Sequence, residues 1–193
     1  MRKETLSRTT KETDITITLN LDGTGLSNIN TPIPFLNHML TAFTLYAAID
    51  LNIDATGDID VDDHHLVEDI GIVLGTLFKN TLKYKKGIAR FASNYTPMDE
   101  ALVRTVLDIS NRPFLNFNST FIQNKIGGLS LQNVNEFLYA FAIESRITLH
   151  IDIIKGVNDH HKVEAIFKSL GRAFKDAKEI TNDQVLSTKG TLS

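Results

Sequence analysis

Apolar and polar residues alternate in four stretches of the chain. In "TDITITLNLDGTG", Ile15, Ile17, Leu19 and Leu21 alternate with Thr16, Thr18 and Asn20, the period-two pattern of a half-buried strand, and "DGTG" supplies a turn. "IDLNIDATGDIDV" alternates through Ile49, Leu51 and Ile53, turns near Gly57, and by its pattern resumes as a strand with Ile59 and Val61. "EALVRTVLDIS" and "RITLHIDII" read as strands too. In the last, Ile147, Leu149, Ile151 and Ile153 share one face, so His150 points to the other.

Four stretches instead carry apolar residues every three to four positions. "PFLNHMLTAFTLYAA" has Pro34 near its start, as a helix allows. "LQNVNEFLYAFAIESR" is a second helix. The third follows His64 through Val67, Ile70, Leu74, Leu77 and Phe78. The fourth follows His160 through Val163, Ile166, Phe167, Leu170 and Phe174.

A shift of 96 residues lays residues 63–79 on 159–175 with ten identities in 17 positions and no gap. Asp63, His64, His65, Val67 and Glu68 fall on Asp159, His160, His161, Val163 and Glu164. The chain therefore contains a duplicated helix and, by extension, two related halves of about 1–92 and 93–193. No low-complexity linker separates them, so they form one compact body. Strands mixed with helices at this density predict an α+β architecture, each half a mixed or antiparallel sheet with helices on one face.

The repeated HHxxE carries the chemistry. On a helix, His64 and Glu68 lie one turn apart on nearly the same face, whereas His65 is rotated by about 100°. One ion cannot readily take both neighbouring imidazoles and the glutamate. The pattern fits His64 and Glu68 on one ion with His65 reaching toward another, and likewise for His160, Glu164 and His161. The chain has six histidines, and the two outside the repeats are His38 and His150. Two ions, each held by three imidazoles and one carboxylate, use all of them: His64, Glu68, His161 and His150 on one, His160, Glu164, His65 and His38 on the other. Two octahedral positions per ion remain for a chelating substrate. Imidazole and carboxylate without thiolate suit manganese, iron, cobalt or zinc, and open six-coordination leans to manganese or iron(II). Asp63 and Glu68 also have a plainer reading, as acids favoured by a helix N-terminus.

Composition narrows the classes. The 193 residues are 42% hydrophobic with a net charge of -3, which supports a real core and argues against general nucleic-acid binding. With no cysteine, disulfides and thiolate sites are excluded. The longest apolar run, "FLYAFAI", is far below the roughly 18 residues of a membrane span, and "MRKETLSRTTKE" has no signal-peptide core. The expectation is a soluble, cytoplasmic protein with no membrane partner.

"PFLNHML", "ATGDIDVDDHHLVED", "PMDEAL", "NDHHKVEA" and "STKG", in this order, resemble imidazoleglycerol-phosphate dehydratases, over nearly the whole chain. Three departures lie beside the expected ligands: Asn37 where the family commonly has aspartate, Ala42 where a polar residue is common, and "LYAAID" (45–50) in place of a stretch containing His-Gly. The resemblance implies a ribosomal protein S5 domain 2-like fold and a 24-subunit homo-oligomer with metal ligands shared between subunits. It implies a manganese-dependent lyase of histidine biosynthesis, two Mn2+ per active site, converting D-erythro-imidazole-glycerol phosphate to imidazole-acetol phosphate. The proton to be lost has no adjacent carbonyl, so the ring must drive the reaction. A metal on one ring nitrogen acidifies the other N–H, and the imidazolate can expel the neighbouring hydroxyl.

By resemblance, Glu12, Glu164 and Asp99 are the candidates for proton transfer. Arg90, Arg112, Lys168, Ser187 and Lys189 match positions that bind the substrate phosphate, with Glu12 also on the substrate. Lys168 keeps two readings: an ordinary i,i+4 ion pair with Glu164, or a phosphate ligand about 12 Å along the helix from His160. Two rivals share the same ligands: a dinuclear phosphate-ester hydrolase, and a metal-stapled assembly or iron store.

Overall fold

The structure is a computed structural model describing residues 2–83, 85–118 and 120–192. The first sheet has the order β1-β2-β4-β3, from β1 (Lys3–Thr9), β2 (Thr13–Asn20), β3 (Ser27–Asn30) and β4 (Asp50–Gly57). Helix α1 (Pro34–Ala47) connects β3 to β4, which run parallel, and α2 (His64–Leu82) follows β4. The second sheet repeats the plan as β5-β6-β10-β7, from β5 (Phe91–Met98), β6 (Ala101–Asp108), β7 (Phe114–Asn118) and β10 (Thr148–Lys155). Between β7 and β10 come the small hairpin β8 (Lys125–Ile126) and β9 (Leu129–Ser130), then α3 (Gln132–Ser145); α4 (Asp159–Ala177) follows β10. This is the mixed α+β architecture the pattern predicts.

Alternation sets which face is buried. Ile15, Ile17 and Leu19 of β2 and Leu51, Ile53 and Ala55 of β4 are all sealed from solvent, as are Val103 and Leu107 of β6 and Leu149 and Ile151 of β10. Pro97, which cannot donate to a ladder, sits in the edge strand β5. Each helix lies on its own sheet and also on a helix of the other half: α2 on α3, and α1 on α4. The helices thus form a double layer between the sheets. One phenylalanine from each meets at the centre: Phe43, Phe78, Phe141 and Phe174, with ring centroids 4.6 to 6.2 Å apart. Edge-to-face rings at these separations add to the burial of four large side chains.

The expected strand at Ile59 and Val61 does not form. β4 ends at Gly57, and the chain turns through a Val61 N–H to Asp58 C=O bond of 2.8 Å. Ile59 and Val61 are exposed. Their alternation had no neighbouring strand to pair with, and local turn bonds took the backbone groups instead.

Asp63 and Asp159 do not cap their own helices. Asp63 accepts from Ser130 N–H (2.7 Å), Ser130 Oγ (2.5 Å) and Asn133 Nδ2 (3.0 Å). Asp159 accepts from the N–H groups of Ile122 and Gln123, both at 2.7 Å, and from Lys162 Nζ at 2.9 Å. Burial works against both charges, yet these donors hold both carboxyls below their ordinary pKa. The repeated aspartate therefore ties the start of each HHxxE helix to the 120–133 segment.

Candidate metal centre and phosphate cleft

The closest gathering of ligand atoms lies where α1 meets α4. Gly171 of α4 faces the carbonyl of Phe43, and a Cβ at that position would stand 2.8 Å from the oxygen. The backbones can approach this closely only because the residue has no side chain. That approach sets His38, on the second turn of α1, against His160 and Glu164 in the first turns of α4. His38 Nε2 is 3.6 Å and His160 Nε2 is 3.2 Å from Glu164 Oε2. Among the described residues this is the one group of three imidazole or carboxylate ligands whose donor atoms all lie within 4.8 Å of each other. An octahedral ion with bonds of about 2.1 Å places neighbouring ligands about 3 Å apart, so the donor set fits a six-coordinate divalent cation.

The other oxygen of Glu164, Oε1, is 2.7 Å from Lys168 Nζ. Burial pushes the Glu164 carboxyl up, but the hydrogen bond and charge of Lys168, with His38 and His160, outweigh it and hold the pKa below the ordinary glutamate value. Of the two readings of Lys168, the ion pair is the one observed. The ammonium also lies 5.7 Å from the Tyr46 ring centre. A carboxylate kept ionised with one oxygen turned to two imidazoles is prepared to bind a cation.

The pseudo-equivalent place, between α2 and α3, has no such trio. Gly75 packs on the Phe141 carbonyl as Gly171 does on Phe43, and His64 Nε2 is 3.6 Å from Glu68 Oε2. The fifth residue of α3, however, is Glu136 where α1 has His38. The equivalence was legible: Asn37, Leu40, Ala42 and Phe43 recur as Asn135, Leu138, Ala140 and Phe141, at a spacing of 98 rather than 96.

The remaining ligands expected at each ion stand apart within one chain. His65 Nδ1 faces Asp58 (3.1 Å) and, more distantly, Glu12 (3.9 Å). His161 faces Glu100 (2.7 Å) and Asp99 (3.6 Å). Both imidazoles are raised in pKa by their carboxylates, Asp58 and Glu100 first. Glu100 is itself lowered to about 2, chiefly by the Asn158 N–H and then His161. His150, on β10, has Asn116 Nδ2 3.4 Å from Nδ1 and the Phe114 ring beside it. Glu12 and Asp99 occupy corresponding turns, β1–β2 and β5–β6. The sequence reading missed Asp58, Glu100 and Asn133, whose Oδ1 lies 3.3 Å from His64 Nδ1. None lies within a turn of its histidine on the same helix, so no spacing marks it.

Four of the five expected phosphate ligands converge, and Lys168, paired with Glu164, is not among them. Arg90, Arg112, Ser187 and Lys189 line a cleft of about 720 Å³ with Phe91 and residues 184–186. Asp108 organises it, taking Arg90 Nε at 2.7 Å and Nη2 at 3.1 Å, with Arg112 Nη2 at 3.4 Å. Arg90 also donates to the Leu186 carbonyl, fastening the 184–189 segment over the cleft.

Two of the three departures have local explanations. Thr31 Oγ1 donates to Asn37 Oδ1 (2.6 Å), and Asn37 Nδ2 donates to the Thr31 carbonyl (2.9 Å). The second bond needs an amide, so asparagine anchors the start of α1 in a way aspartate cannot. Ala42 is buried on α1. The 45–50 stretch forms the end of α1, a left-handed Ala48 (φ 47°), and the first residue of β4.

The family model described as imidazoleglycerol-phosphate dehydratase matches residues 31–174. An imidazoleglycerol-phosphate dehydratase from Desulfotalea psychrophila is 54% identical over 192 residues, covering 99% of this chain and 96% of its own. The enzyme of that name from Clostridioides difficile is 50% identical over 192 residues, covering both chains fully. The crystal structure of imidazoleglycerol-phosphate dehydratase from Staphylococcus aureus N315 superposes with a TM-score of 0.84 at 45% identity, over 93% of this chain and 99% of that one. That of the Pyrococcus furiosus protein, in complex with (S)-C348, gives 0.83 at 41%, over 97% and 100%. Matched by the family model over residues 31–174 and by these relatives over nearly its whole length, this chain belongs to the imidazoleglycerol-phosphate dehydratase family.

Proposed function

We propose that this protein is a manganese-dependent hydro-lyase of histidine biosynthesis, removing water from D-erythro-imidazole-glycerol phosphate to give imidazole-acetol phosphate. The observation that carries this reading is the His38, His160 and Glu164 group, with its carboxylate held ionised by Lys168. Those three residues would hold one divalent ion; His64 and Glu68 would begin a second. His65, His150 and His161 are turned to other partners in their own chain, which supports their completing each centre across subunits of a homo-oligomer, 24 by family resemblance. An ion on one nitrogen of the substrate ring would make the other N–H acidic, so that the ring can push out the adjacent hydroxyl.

The chain's own groups supply the rest. Arg90 and Arg112, aligned by Asp108, would offer planar donors to phosphate oxygens, and Ser187 and Lys189 line the same cleft. Glu164, also a candidate for proton transfer, has Lys168 beside one carboxylate oxygen. Glu12, in an exposed turn 3.9 Å from His65, and Asp99, in the matching turn 3.6 Å from His161, would carry protons between the substrate carbon and solvent. Loss of the carbon proton and the hydroxyl leaves an enol, which becomes the ketone on reprotonation.

Stripping metal with chelator and restoring manganese tests the reading. Dehydration and particle size should both return, with the phosphate retained in a ketone product. Release of inorganic phosphate instead identifies a hydrolase, and recovery of activity without manganese uptake removes the metal from the account.

A further inference from the structure

In each repeat the second histidine meets a carboxylate from its own half. For His65 it is Asp58, with both oxygens within 3.2 Å of Nδ1. For His161 it is Glu100, whose Oε2 is 2.7 Å from Nδ1. The Glu100 carboxylate is held from behind. Its other oxygen, Oε1, accepts from the N–H groups of Val157 (3.1 Å) and Asn158 (2.8 Å), the residues that lead into α4. Asn158 in turn accepts through Oδ1 from the backbone N–H groups of His160 (2.9 Å) and His161 (3.4 Å). The two oxygens therefore have separate partners: one fixes the carboxylate to the start of α4, the other faces the ring.

A carboxylate has only acceptors, so a neutral imidazole facing it must carry its proton on Nδ1 and leave a lone pair on Nε2. His161 Nε2 points outward to the β5–β6 turn, 3.6 Å from Asp99. We propose that Glu100 is a positioning residue that locks His161 in the Nδ1–H tautomer and so presents Nε2 to a divalent cation. This rests on the reading of His161 as a metal ligand. Asp58 faces Nδ1 of His65 in the same way, and among the described residues its carboxylate accepts no backbone N–H.

Glu100→Gln and Glu100→Ala separate this role from a structural one. In Glu100→Gln the side-chain oxygen keeps the Val157 and Asn158 bonds, and the NH2 then faces Nδ1. An NH2 donates, so the imidazole is driven to carry its proton on Nε2, where it blocks the metal. In Glu100→Ala the loop bonds are lost, but water can accept from Nδ1–H. Manganese binding to the metal-stripped full-length protein is measured by titration, with the His161 tautomer read from imidazole 15N shifts. The proposal expects Glu100→Gln to weaken one class of manganese site by roughly 10- to 100-fold, more than Glu100→Ala does, with Nε2 protonated. A merely structural role gives the reverse order. The positioning role is overturned if Glu100→Gln binds manganese like wild type, or less weakly than Glu100→Ala, while His161→Ala loses a site. Full manganese stoichiometry in His161→Ala would remove the ligand reading beneath it.

Discussion

Gly171→Ala probes whether the spacing of α1 and α4 makes the metal centre. The added Cβ would lie 2.8 Å from the Phe43 carbonyl oxygen and 3.1 Å from both the Ala47 nitrogen and Tyr46 Cβ. Ordinary contact starts near 3.4 Å, so the helices must part by about 0.6 Å. Backbone atoms cannot rotate away as a side-chain tip can. Overpacking of this kind costs about 1–3 kcal/mol, and alanine's better helix propensity returns up to about 1 kcal/mol. A net loss of up to about 3 kcal/mol lowers the Tm of a chain this size by up to about 12 °C. His38 moves with α1, widening its 3.6 Å separation from Glu164, so manganese affinity should fall as well. Gly75→Ala is the matched control. Its Cβ meets the Phe141 carbonyl at 2.7 Å, in the pseudo-equivalent helix pair that lacks a third ligand. Thermal melts of the metal-free proteins should show similar losses for both variants, while manganese titration shows a weakened site at His38 only for Gly171→Ala. Equal manganese binding in the two, with equal loss of Tm, refutes the link between helix spacing and the centre.

Two further outcomes follow from charge. Burial, then Arg146 and Lys79, lowers the Lys85 ammonium to about 8 from 10.5. The unfolded chain binds more protons here between those values, so this group's contribution makes stability rise with pH from about 8 to 10.5. Lys85→Met should flatten that rise and raise the Tm at pH 7; melts across pH showing an unchanged slope would contradict it. Asp108→Asn, which loosens Arg90 and Arg112 together, should raise KM for the phosphorylated substrate far more than it lowers kcat. A fall in kcat at constant KM would place Asp108 elsewhere.

The fold was legible where apolar spacing is strict. β2, β4, β6 and β10 are central strands with one sealed face, and all four announce themselves by alternation. Strands β1, β3, β5 and β7 lie at sheet edges, where half of each strand's pairing and much of its burial is missing, and their sequences carry no comparable pattern. Ile59 and Val61 show the converse, alternation without a partner strand.

The sequence by itself determined that two copies of an HHxxE helix exist, that imidazole and carboxylate are the available ligands, and which residues belong to each helix face. Those facts depend on covalent spacing and helical pitch, which act over a turn or two. Tertiary structure alone decided that α1 crosses to α4 rather than to its own α2, bringing His38 to the second repeat's histidine and glutamate. It also decided that Asp58 and Glu100 face the second histidine of each pair, and that Asp108 draws two arginines together. Each joins residues whose meeting depends on how sheets and helices pack, over distances that no local spacing rule spans.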